Sequence, residues 1–446
     1  MADRCPSCGA DLYEGARFCG RCGATLEPTS GTPLRERETV LPGPLPVASP
    51  VGSDAQKTPR GGKRPTILAV AGVLVVAGIA AGMVWLMHAS GPEPTAISVS
   101  PGVALRSPLS SPSAPTAPRV VGHVDVGRYP GVLAVNPITD RIYVSSGGWK
   151  RHATVRVIDG STDTVTDTVR MSGDHPSGMA VNPTTGRVYV LTGWAGEGMC
   201  EGGPMSVLDG ETFAVAATID VGECPVALAV NPTTDRIYVM DYKSSIVSVI
   251  DGETNTITAA VDVGAVPNGL AVNPTTNRIY VSGRRVPSGG WKSHASVSVI
   301  DGETNAVTAR IRMPHTSLMD VAVNPTTDRI YVLTGWAAEG MCEGGPMSVI
   351  DGETNAVTAT IDVGRCPVAL AVNPTTDRIY VTDWESAVLS VVNGETDEVI
   401  ASLRTARYPF GLAVNPTTDR TYVVTGGSHG TVSVVADVPA VGTGGQ

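Results

Sequence analysis

Phenylalanine occurs only three times in 446 residues, and aromatic side chains make up 4% of the chain. Cores built on stacked rings are therefore excluded, which leaves Val, Ile and Ala to fill the interior. Lysine is nearly as scarce: Arg outnumbers it 27 to 5, and with heavy Ala, Gly and Val this is the composition of a high-GC bacterial genome. An excess of basic charge is missing as well. Residues 1–66 carry nine Lys/Arg against seven Asp/Glu, so of the total of −10 the remaining 380 residues hold −12. An acidic main body argues against a phosphate backbone as ligand, and nucleic acid is not an expected partner. What abounds is turn chemistry, with 51 Gly and 34 Pro.

Charge is absent altogether from Ile67 to Met87 (ILAVAGVLVVAGIAAGMVWLM). These 21 residues would span roughly 31 Å as a helix, the thickness of a bilayer's hydrocarbon core. A cleaved signal peptide would start nearer the N-terminus and carry a shorter apolar region, so residues 66–88 are expected to be a retained single span. Lys57, Arg60, Lys63 and Arg64 crowd its N-terminal flank, and no Lys or Arg follows it until Arg106. The positive-inside rule then puts the N-terminus in the cytoplasm and everything after residue 88 outside the cell membrane.

The inner part opens with Cys5-Pro-Ser-Cys8-Gly and Cys19-Gly-Arg-Cys22-Gly. Two close thiolate pairs suit tetrahedral zinc, and a fold this short needs a metal in place of a core. Residues 1–26 resemble the zinc-ribbon heads of many bacterial membrane proteins. The resemblance implies a structural Zn on Cys5, Cys8, Cys19 and Cys22, and a docking role towards a cytoplasmic protein. Residues 27–65, with eight prolines, read as a disordered tether, and residues 89–118 as a Pro/Ser/Thr-rich stalk.

From Arg119 the chain repeats itself. The phrase A-V-N-P-T-T-D-R-I-Y-V recurs with its Asn-Pro at 136, 182, 231, 273, 324, 373 and 415. Each copy reads as a short apolar strand, an Asn-Pro turn, R-I-Y-V, a variable loop, a half-buried V-S-V-I strand, a D-G-E-T-N hairpin with Gly available for positive φ, and a fourth strand. Four antiparallel strands in 42–51 residues predict a propeller blade, so 119–438 is expected to be an all-β, seven-bladed β-propeller followed by a flexible tail at 439–446. The strand at 119–127 precedes any blade and the last copy lacks a fourth strand, so the first should close the seventh blade and remove both edges. The region resembles the propeller repeats named for Tyr-Val-Thr-Asn; the nearest stretch is Tyr380-Val381-Thr382-Asp383, and N-P-x-T-x-R-x-Y-V recurs in every copy. Proteins of that kind are mostly surface or periplasmic, and the resemblance implies no single activity.

The phrase GWAGEGMCEGGP at 193–204 returns as GWAAEGMCEGGP at 335–346. Cys200 and Cys224, and again Cys342 and Cys366, fall in a second-to-third loop and the next crossover, on one face of the ring. The repetition selects the disulfides 200–224 and 342–366; a metal site is the rival reading, but no His shares the offset. The same face carries Trp149, Trp194, Trp291, Trp336 and Trp384, with Lys150, Lys292, His152, His294, Tyr129 and Tyr408. A membrane-anchored binding or sensing module is the expectation, with a protein, cell-wall or glycan ligand on this outer face. The alternative is an extracytoplasmic enzyme, a lyase or lactonase-like hydrolase, with His175, His152 and Glu223 at the channel mouth; catalysis is the weaker expectation. The Asp-Gly turns at Asp159, Asp209, Asp251, Asp301 and Asp351 lack the alternating ligands of a calcium loop and read as hairpins.

Overall fold

The computed structural model describes residues 116–148, 151–196, 199–264, 266–284, 295–315, 317–338, 341–426 and 430–439. The zinc-ribbon cysteines, the tether, the expected membrane span, nearly all of the stalk and the tail lie outside them. Among the described residues there are 28 strands and no helix.

The strands form seven four-stranded antiparallel sheets. Their inner strands are Pro130–Asn136, Pro176–Val181, Pro225–Asn231, Val266–Asn273, Leu318–Asn324, Pro367–Asn373 and Pro409–Asn415. Blade 7 is completed from the other end of the chain, as expected. Its outer strand is Thr116–Gly127, which starts three residues before the expected Arg119 and pairs antiparallel with Gly430–Pro439. Closure leaves no sheet edge open at the junction of the two ends.

The core lies between blades. Tyr189, Leu191, Met205 and Val207 of blade 2 pack against Leu228, Ile237, Val239 and Ile250 of blade 3, and the pattern repeats around the ring. Third strands are consequently buried on both faces: Val247, Val249 and Ile250 are inaccessible and Ser248 nearly so. The half-buried alternation expected there belongs instead to the outer strands, such as Thr256–Asp262, because only they have a free side.

The repeated turns latch each blade to the next. In N-P-T-T-D-R the Asn side-chain oxygen accepts backbone N–H groups inside its own turn, as Asn182 does from Thr184 at 3.0 Å. Its amide donates outward, to the Asp or Asn that closes the next blade's turn: Asn182 to Asp235, Asn231 to Asn277, Asn273 to Asp328, Asn324 to Asp377, Asn373 to Asp419 and Asn415 to Asp140, all at 2.6–2.8 Å. The following Arg donates to the glycine carbonyl of the next blade's D-G-E-T turn, Arg141 to Gly210 at 2.6 Å and Arg187 to Gly252 among others. At the closure Arg378 finds Asp437 instead, at 2.7 Å.

The D-G-E-T-N hairpin differs from expectation in one respect. Positive φ falls on Asn255, Asn305 and Asn355 (58°, 57° and 58°), residues that tolerate it, rather than on the glycine. Gly252 is required by close approach: a Cβ there would stand 2.3 Å from the Asp235 carboxylate. The aspartate of the turn acts as a turn residue, since Asp251 accepts from both the N–H and the hydroxyl of Thr254 at 2.8 Å.

Candidate functional site

Second-to-third loops and inter-blade crossovers meet on one face through backbone hydrogen bonds. Gly147 N–H donates to Tyr129, Gly193 to His175, Tyr242 to Cys224, Gly335 to Ser317, Trp384 to Cys366 and Gly426 to Tyr408, at 2.9–3.2 Å. The acceptors all stand seven residues before an inner-strand Asn. Three of them, Tyr129, His175 and Tyr408, hold φ of 53°, 44° and 58°. Asn, Asp and His adopt that backbone more readily than other side chains; a tyrosine pays about 1 kcal/mol or more for it, as Phe213, Ser245 and Ala387 also do elsewhere in the ring. Tyr129 and Tyr408 nevertheless keep 54% and 46% of their surface exposed.

Tyr129 and His175 line a cavity of about 540 Å³ together with Pro130, Pro176, Ser177, Val226 and Phe410, and Gly147, Gly193 and Gly426 complete its rim. Beside it Tyr408 packs on Trp384, ring centroids 5.0 Å apart and planes tilted by 36°. Aromatic rings with two hydroxyls and one imidazole make a surface suited to planar or apolar groups.

Of the three catalytic candidates only His175 lines this cavity. His152 is exposed, in register with Asp174 across the strand pair. Glu223 is exposed and ion-paired with Lys243. Among the described residues no three His, Cys, Asp or Glu side chains gather so as to hold a metal. Trp149, Lys150, Trp291, Lys292 and His294 lie outside the described residues.

The repeated twelve-residue phrase is a hairpin rather than a loop. Trp194 pairs with Glu201 and Ala195 with Cys200, and in blade 5 Trp336 pairs with Glu343 and Ala337 with Cys342. It sits hard against the crossover, since a Cβ on Gly202 would stand 2.3 Å from the Glu223 carbonyl. Cys224 and Cys366 are buried there. Their N–H groups donate to Asp241 at 2.6 Å and Asp383 at 2.9 Å. Burial opposes ionisation of Asp241, but the N–H groups of Ser244, Cys224 and Lys243 and the Ser244 hydroxyl outweigh it and hold the carboxyl below its usual range.

Asp320 is not among the residues that the motifs single out. It is the sole charged side chain on the seven inner strands, at the place where the other blades have Val132, Gly178, Ala227, Gly269, Ala369 and Gly411. Its carboxylate accepts from Leu370 N–H of the next blade at 3.2 Å and from Val321 N–H at 2.9 Å. Burial pushes its pKa up to about 6. The signal was present as a departure from small residues at one position of the repeat.

Comparison with known proteins agrees with this architecture. Residues 4–26 match the zinc-ribbon domain family. The hydrazine synthase of Kuenenia stuttgartiensis is similar in fold, with a TM-score of 0.58 and 17% identity over 71% of this chain and 97% of that one. No curated protein matches the chain.

Proposed function

We propose that this protein is a membrane-anchored binding module, with a propeller of the Tyr-Val-Thr-Asn repeat type displayed outside the cell. The observation that carries the reading is the set of aromatic crossover corners on one face, with Tyr129 and His175 lining a cavity and the exposed Tyr408 packed on Trp384 beside it. Chain direction supports it. The strand Thr116–Gly127 ends at the loop face, where it leads into Tyr129, so it enters the propeller at the opposite, turn face.

The uncharged segment 66–88 supplies the anchor in this reading. Disulfides 200–224 and 342–366 would fasten each repeated hairpin to its neighbouring crossover, which the burial of Cys224 and Cys366 and the contact at Gly202 support. In the zinc ribbon, Cys5, Cys8, Cys19 and Cys22 supply four thiolates, a complete tetrahedral set for a structural zinc, on a head that docks a cytoplasmic protein.

The test is binding of the full-length chain in detergent to cell-envelope fractions, beside a Tyr129→Ala/His175→Ala variant. Binding by the wild type alone supports the site. Equal binding by both moves it away from the cavity. The enzymatic alternative rests on His175 in the cavity; turnover of ester or lactone substrates lost in His175→Ala alone would favour it.

A further inference from the structure

Three consecutive crossovers carry arginine at the same place, eight residues before the inner-strand Asn: Arg365, Arg407 and Arg128, leading into blades 6, 7 and 1. The next two crossovers carry Asp174 and Glu223 there, and the last two Ala265 and Thr316. The sevenfold scaffold therefore sets three guanidinium groups on one arc at equivalent positions. All three side chains are exposed. Among the described residues none of them makes an ion pair, in a domain whose overall charge is strongly negative. Two of the corners are the same tripeptide, Arg128-Tyr129-Pro130 and Arg407-Tyr408-Pro409, each with its tyrosine at positive φ and about half exposed.

We propose that this arc binds an anionic polysaccharide, with its acid groups on Arg365, Arg407 and Arg128 and sugar faces on Tyr408, Trp384 and Tyr129. The inference rests on the binding-module reading and names its ligand class. A guanidinium pairs with a carboxylate or phosphate through two parallel N–H bonds, which suits repeated acid groups. Flat, half-exposed rings beside the charges suit the apolar faces of sugar rings better than a bare polyanion. Two nearby carboxylates are already engaged: Asp125 accepts from Gly127 N–H at 2.8 Å and Asp362 from Gly364 N–H at 3.2 Å. Glu385, exposed next to Trp384, opposes an anion and limits affinity at that end.

The experiment measures binding of the full-length chain in detergent to four probes: polygalacturonate, neutral dextran, inorganic polyphosphate and oligothymidylate. The proposal expects polygalacturonate to bind most tightly and dextran not to bind. Each of Arg128→Gln, Arg407→Gln and Arg365→Gln should weaken polygalacturonate by about tenfold. Each should also flatten the salt dependence by about one ionic contact. Tyr408→Leu should narrow the gap between polygalacturonate and polyphosphate, and Glu385→Gln should tighten both. Unaltered melting curves establish that the arginine variants are folded. Equal binding of oligothymidylate, or arginine variants that bind polygalacturonate like the wild type, overturns the proposal. Envelope binding kept by the triple arginine variant but lost by Tyr129→Ala/His175→Ala overturns the ligand class while leaving the site in place.

Discussion

The side-chain amide of Asn415, in blade 7, donates to the carboxylate of Asp140, in blade 1, at 2.6 Å across 275 residues of sequence. The same link joins five other blade pairs, so one repeated phrase both turns the chain within a blade and clasps the neighbour. The junction of blades 1 and 2 differs, because Gly186 stands where the others have Asp or Asn.

That exception gives a gain-of-stability test. Gly186 has a φ of 72°, and a Cβ there would meet nothing within 4 Å. Asp tolerates this backbone and would face the Asn136 amide, so Gly186→Asp should stabilise the fold by about 0.5–1.5 kcal/mol. Thermal or denaturant melts would show it. No gain would mean that the links contribute little beyond the turns themselves.

The proposed disulfides predict that reductant, or Cys224→Ser, destabilises the oxidised protein by about 2–4 kcal/mol. A non-reducing peptide map should recover 200 joined to 224 and 342 joined to 366. Any other pairing would contradict the staple.

The architecture was legible because each Asn-Pro marks a turn and each Arg-x-Tyr-Val a buried strand, both local signals. The purpose of the phrase was not. Arg187 meets Gly252 65 residues later, in another blade, and no window of one repeat contains that contact. The hairpin glycine reads in sequence as the positive-φ residue, but Asn255 takes that backbone, and the space Gly252 provides is invisible without the neighbouring Asp235. Tyr129, Tyr408 and His175 could be placed on one face from spacing alone, but their left-handed backbone and the cavity lined by Tyr129 and His175 could not. Asp320 escaped notice because nothing within its own strand marks it; only alignment of the seven inner strands does.

Asp320 gives a pH-dependent prediction. Its folded pKa, about 6, lies above the ordinary carboxyl value of 3.8, so the folded state favours the protonated form. Stability is fully present below pH 4 and falls as pH rises from 4 to 6. Asp320→Asn should therefore be more stable than wild type at pH 7–8, by about 1–3 kcal/mol, and gain nothing at pH 4. A difference independent of pH would assign Asp320 a purely steric role.

The buried tyrosines set the alkaline limit. Burial pushes Tyr189 and Tyr422 up to about 12, and raises Tyr143, Tyr238, Tyr280, Tyr331 and Tyr380 as well. The folded state keeps these protons while the unfolded chain loses them near pH 10, so stability should be lost as pH rises from 10 to 12. Phenolate absorbance and circular dichroism should change together in that window. Complete phenolate formation near pH 10 with the fold intact would contradict the burial.

The central claim is that the face bearing Tyr129, His175 and Tyr408 is the binding face. Its most direct test is hydrogen exchange of the full-length chain, with and without cell-envelope fraction. The account predicts protection at the crossovers 127–131, 172–178 and 405–411, with no change at the Asn-Pro turns. Protection confined to those turns, at 136–140 and 415–419, would place the binding face at the opposite end of the propeller.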